Sequence, residues 1–394
     1  MAHPGEAVAL VGGTVYVSPA DEPLRDGVVL IRDGKIAGVG TRRTRAVPAA
    51  ASVLDCSGAT VMAGFWNTHV HFFERKWTDA ASIPAPELRR QIEEMLTSHG
   101  FTSVFDLASL WANTRRLRDR IGSGEVPGPR IRSTGEGLVP PGALPPDLVM
   151  NLLGVMKTPL PEVSDAAQAA AAARKLLDSG VDAIKIFRSS GSPSIPPLPE
   201  PAIRAAADEA HRAGKLVFVH PNSGADVLAA VRNGVDVVAH TTPQTGPWSD
   251  DVIGAMKQAG AALIPTLQLW KYQKRHDRLS AQDEFVGVAV QQLRRWVSSG
   301  GVVLFGTDLG AVEYDPRDEY ALMAHAGMDF RQILASLTTT PAARLGESER
   351  LGRIADGFEA DLTICDGDPA RDVRALAAVR YTLRSGKLIY SAAG

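Results

Sequence analysis

The sequence predicts an α/β protein, a (β/α)8 TIM barrel with a small β-sandwich domain formed by both termini. Three observations lead there. Short apolar runs alternate with Ala- and Leu-rich helical stretches from about residue 60 to residue 349. The two ends of the chain share another style, β-branched runs punctuated by Gly and Asp. Several of the apolar runs carry a His, Lys or Asp at or just past the carboxyl end, the side on which a parallel barrel gathers its catalytic groups.

Residues 1–60 read as the N-terminal part of the sandwich. AVALVGGTVYV, DGVVLIRDGKIAGVG and ASVLDCSGATV are its strands, and Gly12-Gly13 and Asp33-Gly34 are its turn signals, because glycine tolerates positive φ. Residues 350–394 return to this style in EADLTICDGD and VRYTLRSGKLIYSA, so beginning and end are expected to meet. Residues 61–349 make the barrel, with the first strand starting at the boundary. Strands are expected at 60–68, 101–107, 130–135, 182–187, 216–220, 236–240, 262–267 and 302–307. Helices such as PAPELRRQIEEMLTSHG, SDAAQAAAAARKLLDSG and EPAIRAAADEAHRAG separate them, each with Gly just past its end. A doubly wound open sheet is the competing topology, but no Gly-rich phosphate loop follows the first strand. Two Pro-rich stretches, 137–163 and 189–201, follow the third and fourth strands and are expected over the catalytic face. The longer one has the length of a lid.

Composition narrows the function. With 45% hydrophobic and 22% charged residues the chain matches ordinary globular proteins. A formal net charge of −2 leaves neither a nucleic-acid footprint nor a basic membrane patch. Cys56 and Cys365 lie far apart without metal-ligand spacing, which suits free thiols in a reduced compartment. MAHPGEAVAL lacks the basic and apolar regions of a secretion signal, although a removed leader would leave the same sequence. No apolar stretch is long enough to span a bilayer, and a cytoplasmic location is expected.

Six residues stand out: His69 and His71 in ATVMAGFWNTHVHF, Lys185 in VDAIKIF, His220 in KLVFVHPN, His240 in VDVVAHT and Asp308 in VVLFGTDLG. Each has an ordinary explanation when taken singly. His-x-His can be a chance pair near a turn, His220 and His240 satisfied core histidines, and Asp308 a turn or helix cap. Lys185 can be a lysine whose ammonium escapes at the strand end to meet a carboxylate. Taken together, on strands one, four, five, six and eight, they describe a metal site. Two residues apart on an extended chain, His69 and His71 project from one face. Neutral imidazoles suit zinc, with manganese or iron also compatible, and an aspartate can both ligate a metal and accept a proton. A buried ammonium must be neutralised, paired or modified. Addition of CO2 would turn the Lys185 amine into a carbamate whose two oxygens can bridge two metals.

These residues resemble the amidohydrolase superfamily, in particular its imidazolonepropionase-like and prolidase-like (Xaa-Pro dipeptidase-related) branch, over nearly the whole chain. Further similarities are VPGPRI at 126–131, GTDLG, the segment from Tyr320 through LMAHAGMDFRQILASLTTTPAARLG, and GRIADGFEADLTICDGDP. The resemblance implies one metal held by His69, His71 and Asp308, a second held by His220 and His240, and carboxylated Lys185 (N6-carboxylysine) between them. The 20-residue step from His220 to His240 favours the prolidase-like group, and Lys185 argues against imidazolonepropionase activity. Two departures stand out: Asn67 occupies the usual acid position before Thr68-His69, and Pro221 and Asn222 follow His220 where small residues are common.

The implied enzyme is a hydrolase with two divalent metal ions, zinc by default. It would cleave an amide bond of a peptide-like or N-acyl amino-acid substrate by a metal-bridged hydroxide, with Asp308 shuttling the proton. Cyclic-amide, carbamate and lactone hydrolysis are same-class alternatives, and a non-catalytic barrel scaffold is the alternative of another class. Arg188, Gln268, Trp270 and Tyr272 are candidate contacts for a small-molecule substrate, each competing with a plain packing or surface role. A homo-oligomer is expected from the resemblance alone.

Overall fold

The computed structural model describes residues 7–143, 160–189 and 195–392. The chain opens with β1 (Val8–Val15), β2 (Leu24–Arg32), β3 (Lys35–Thr41), β4 (Ser52–Asp55) and β5 (Ala59–Ala63). As its sequence predicts, Asp33-Gly34 turns β2 into β3. Arg32 pairs with Lys35, and both turn residues have positive φ, 50° and 77°, which matches the twist of a tight hairpin. Gly12-Gly13, expected as a turn, lies inside β1, where the pairing with β2 is irregular on either side of Gly13. An extra residue accommodated as a bulge explains the double glycine there.

The strand expected at 60–68 is two strands. β5 belongs to the terminal sheet, and β6 (Phe65–Val70) starts the next one. Gly64 makes the break. Its N–H donates to the Asp361 carbonyl, and a Cβ there would stand 2.2 Å from the Thr102 hydroxyl oxygen. Only a residue without a side chain lets the chain change sheets so close to its neighbour.

From β6 through the thirteenth strand every sheet neighbour is parallel and consecutive. β6, β7 (Phe101–Asp106) and β8 (Arg130–Ser133) form one sheet. β9 (Ala183–Phe187), β10 (Leu216–His220), β11 (Val237–Ala239), β12 (Ala262–Ile264) and β13 (Val302–Val303) form another. Backbone hydrogen bonds link their outer strands. Asp182 N–H donates to Ser133 O at 2.7 Å, and Leu138 N–H to Lys185 O at 2.9 Å. On the other side Thr68 N–H meets Phe305 O at 2.8 Å, and Asp308 N–H meets His69 O at 2.9 Å. Leu138 and Val139 of the Pro-rich 137–163 stretch thus take part in isolated bridges, to Ile186 and Glu162. The lid expectation falls mostly on residues 144–159, outside the described residues.

Helices cover these strands because their apolar faces recur at helical spacing. Ala166–Asp178 is capped by Asp165, which accepts from Gln168 N–H, and buries Ala169, Ala173 and Leu176. Glu200–Arg212 packs beside it and buries Ala202, Ile203, Ala206, Ala207 and Ala210. Small alanines let the two helices approach closely.

The chain then returns through β14 (Leu362–Asp366), β15 (Val379–Arg384) and β16 (Lys387–Ser391). β14 pairs antiparallel with β5, so both termini share one hydrogen-bonded sheet in the order β16-β15-β14-β5-β1-β2-β3, with β4 beside β1. Its buried core joins Leu10, Val29 and Val61 to Leu362, Ile364 and Leu383.

Candidate metal centre

Four imidazoles, one amine and one carboxylate are brought together at the carboxyl ends of the parallel strands. His69 comes from β6 and His71 from just past it, Lys185 from β9, His220 from the end of β10, His240 from just past β11, and Asp308 from beyond β13. His69 Nε2 lies 3.2 Å from His71 Nε2, and Asp308 Oδ1 lies 3.0 Å from the first and 2.7 Å from the second. The His69 and His240 rings are 4.7 Å apart between centroids, as are the His220 and His240 rings. Lys185 is buried, and its Nζ has no hydrogen-bond partner among the described residues. The Phe187 ring centroid lies 5.4 Å from it.

The backbone is bent to aim these groups. His240 and Asp308 have positive φ, 98° and 65°, unusual for residues with side chains. Strain of this kind persists where a site needs a side chain aimed away from the regular strand.

Burial dominates the electrostatics. It pushes the His69 imidazole down to about 3 against the pull of Asp308, and His220 down to about 4 with the Lys185 charge adding to it. His240 is held well below its ordinary value by burial and then by His220 and His69. These three imidazoles are neutral at pH 7, the form that ligates a metal. Burial takes the Lys185 ammonium down to about 7, with Asp308 alone pulling the other way. For Asp308 burial acts upward, but the adjoining His69 and the hydrogen bonds from both histidines outweigh it and keep the carboxylate ionised.

The donor set fits a cation. One nitrogen each of His69 and His71 and one oxygen of Asp308 lie within 4.8 Å of one another. His240 Nδ1 is 2.7 Å from the Thr266 hydroxyl, which fixes the ring and leaves Nε2 toward the cluster. The unpartnered Lys185 amine completes the argument, because a buried amine with no acceptor calls for a further group.

The sequence profile of the amidohydrolase family matches residues 60–389. The chain belongs to the amidohydrolase family. It is 24% identical over 433 residues to the ochratoxinase of Aspergillus niger, covering 97% of this chain and 86% of that relative. A solved prolidase complexed with N-methylphosphonate-L-proline superposes with a TM-score of 0.78 at 28% identity, over 98% of this chain and 100% of that one. A Xaa-Pro dipeptidase with methionine in its active site superposes with a TM-score of 0.83 at 22% identity, over 98% and 100%. The fold is therefore the TIM-barrel type of these amidohydrolases. As an amidohydrolase the protein is a hydrolase acting on carbon–nitrogen bonds, and the family is generally metal-dependent. No described helix is long and apolar enough to cross a membrane.

The four substrate-contact candidates part company in this amidohydrolase. Arg188 donates to the Leu198 carbonyl and lies 3.9 Å from Asp226, so it braces its own loop. The strand expected at 262–267 ends at Ile264, and a helix runs over Leu267–Gln273. Gln268 and Tyr272, one turn apart, face a common cleft, whereas Trp270 is turned inward and donates to the Thr241 hydroxyl at 2.7 Å.

Sequence reasoning missed the groups that hold the cluster. Asn67 donates from Nδ2 to the Thr307 hydroxyl at 2.7 Å and accepts the His69 N–H at 3.2 Å, tying β6 to the Asp308 segment. An aspartate could not make the first donation, so the departure at this position has a structural use. Asn222 Oδ1 lies 3.2 Å from His220 Nε2. Asp106 accepts from Ser109, Thr114 and Ser133, and the Ser109 hydroxyl in turn accepts the Phe72 N–H next to His71. Phe73 stacks on His71 at 4.6 Å. The departures at Asn67 and Asn222 were visible in the sequence, but their partners were not, and for Asp106, Ser109 and Phe73 only the nearby His-x-His pointed to the neighbourhood.

Two expected outcomes arise here. Gly306 lies against His69, where an added Cβ would stand 2.4 Å from Ile264 Cγ2 and 2.8 Å from His69 Cβ. Gly306→Ala should cost about 1–3 kcal/mol by urea unfolding. It should also lower kcat, because His69 must shift. Glu319 is wholly buried and accepts the Gln268 N–H at 2.7 Å. Burial pushes its carboxyl from 4.5 up to about 8 against the Gln268 and Leu267 N–H groups. Because its folded value is the higher one, the parent should lose stability as pH rises from 4.5 through about 8. Glu319→Gln should remove that part of the slope, and equal slopes in urea midpoints across this range would contradict the assignment.

Proposed function

We propose that the protein hydrolyses the amide bond of a peptide-like or N-acyl amino-acid substrate at a two-metal centre. In this reading His69, His71 and Asp308 hold one divalent ion and His220 and His240 the other. The Lys185 amine, on adding CO2 and losing one proton, would become a carbamate, an anionic oxygen donor for those ions. The observation that carries the reading is the wholly buried, unpartnered Lys185 amine beside four histidines and an aspartate. Zinc suits imidazole and carboxylate donors. The same reading takes the two parallel sheets as one closed (β/α)8 barrel at about residues 61–349. Residues 1–60 and 350–394 then form a β-sandwich beside it.

When bound, such ions acidify water and polarise a carbonyl. The chain's own residues do the rest. Asp308 accepts the proton of the attacking water and returns it to the nitrogen of the leaving amine, which must depart protonated. His69 and His71 keep that carboxylate ionised and fixed, and Asn67 and Thr307 hold their strand ends in register. The prolidase and ochratoxinase relatives support amide hydrolysis over lactone hydrolysis.

Elemental analysis of metal-replete protein together with a screen of dipeptides and N-acyl amino acids tests this. About two ions per chain and turnover of at least one amide are expected. Near-zero metal after loading would overturn the reading.

A further inference from the structure

Between the helix Leu267–Gln273 and the segment 312–318 lies a cleft open to solvent. Its walls carry both signs of charge: Lys271 and Arg275 on one side, Glu313, Asp315 and Asp318 on the other. Lys271 and Asp318 are paired at 2.7 Å. The Arg275 guanidinium lies over the Tyr272 ring at 3.8 Å and has no carboxylate partner among the described residues. Such a lining suits a polar group and rejects a greasy one.

Gln268 stands where this cleft meets the centre. It begins two residues after Thr266, whose hydroxyl meets His240, and its Nε2 faces the carbonyls of Thr307 at 3.5 Å and Glu313 at 3.4 Å. Thr307 directly precedes Asp308. Two carbonyls beside one end of the amide fix its sense, since the opposite orientation would set oxygen against oxygen. Oε1 therefore points away from them, on a side chain that is 95% buried, and it has no hydrogen-bond partner among the described residues. The Gln268 N–H, pinned by Glu319 at 2.7 Å, keeps the residue in place. A buried acceptor held this firmly and left unsatisfied calls for a donor from the ligand.

We propose that this cleft receives the amine half of the substrate and that Gln268 Oε1 accepts a hydrogen bond from the N–H of the scissile amide. The inference rests on the amide-hydrolase reading above and narrows it to secondary amides. A prolyl amide has no N–H and leaves the acceptor unsatisfied, so the enzyme should disfavour Xaa-Pro bonds even though structural relatives include a prolidase and a Xaa-Pro dipeptidase. A site built to hydrogen-bond one N–H discriminates against the analogue lacking it.

The test uses two non-hydrolysable probes, the methylphosphonyl amides of alanine and of N-methylalanine, with binding to the metal-loaded protein measured by calorimetry. The wild type should bind the N–H probe about tenfold or more tightly than the N-methyl probe. Gln268→Met should bring the two affinities to within about twofold by weakening the N–H probe alone. A wild type without preference overturns the proposal whether or not the variant folds. A variant that keeps the preference, or that weakens both probes alike, overturns it as well. Turnover of the dipeptide and N-acyl amino-acid set is followed separately. Its absence alongside intact probe discrimination would sink the hydrolysis reading and leave the subsite standing.

Discussion

Lys185→Met is expected to abolish turnover while leaving the metal-free protein at least as stable as the parent. The two halves of this result have different causes. In the metal-free protein the lysine amine is buried with no partner, and an unsatisfied polar group of that kind costs about 1–3 kcal/mol. Methionine fills a similar volume without a polar end, and volume-conserving swaps cost less than about 1.5 kcal/mol. Stability is therefore held or gained, which a Tm measurement on chelator-treated protein will show. Under the proposed two-metal reading activity behaves oppositely, because methionine cannot take up CO2 to supply the carbamate. The loss should exceed the roughly 10–100-fold typical of removing an outer-shell partner, and metal content should fall. Lys185→Ala supplies the complementary check, since the space it opens can admit a short carboxylic acid in place of the carbamate. Partial recovery with such acids supports the bridge. Lys185→Met with two metals and full rate would refute it.

Asp308→Asn should keep the fold and lose the reaction. The side chains are nearly the same size, so packing beyond β13 changes little. The amide cannot take a proton from water or return it to a leaving amine, and loss of a general base costs about a hundredfold to ten-thousandfold. The substitution also removes the charge that His69 and His71 share at 3.0 and 2.7 Å. The effect should fall on kcat more than on KM, because in the proposed mechanism the carboxylate acts on the proton and not on the amine half of the substrate. Unchanged kcat would take Asp308 out of the proton path.

Much of this protein is written locally. Apolar runs such as AIKIF, with Lys185 at its centre, and LVFVH, ending in His220, can be read as strands because apolar β-branched and aromatic residues favour buried sheet. The Asp33-Gly34 hairpin is equally local, being a matter of two positive φ angles. Parallel, consecutive neighbours then bring those strand ends to one side, so the convergence of His69, His71, Lys185, His220, His240 and Asp308 was foreshadowed by position alone.

Contacts across the fold decided the rest. Gly64 divides one apolar run between two sheets because Thr102, far along the chain, leaves no space for a side chain. Gly12-Gly13 stays in a strand for a related reason, as Cys56 and Val61 crowd the position a Gly13 Cβ would take. Gln268 and Trp270 looked alike as loop residues, but a helix starting at Leu267 turns one to the cleft and the other to the core. Which carbonyls face the Gln268 amide, and hence which of its atoms is left for a ligand, follows from Thr307 and Glu313. Composition and periodicity select strands, helices and reactive side chains, because these depend on neighbours along the chain. The facing of each side chain and the satisfaction of each buried polar atom depend on neighbours in space, and those were set only when the chain folded.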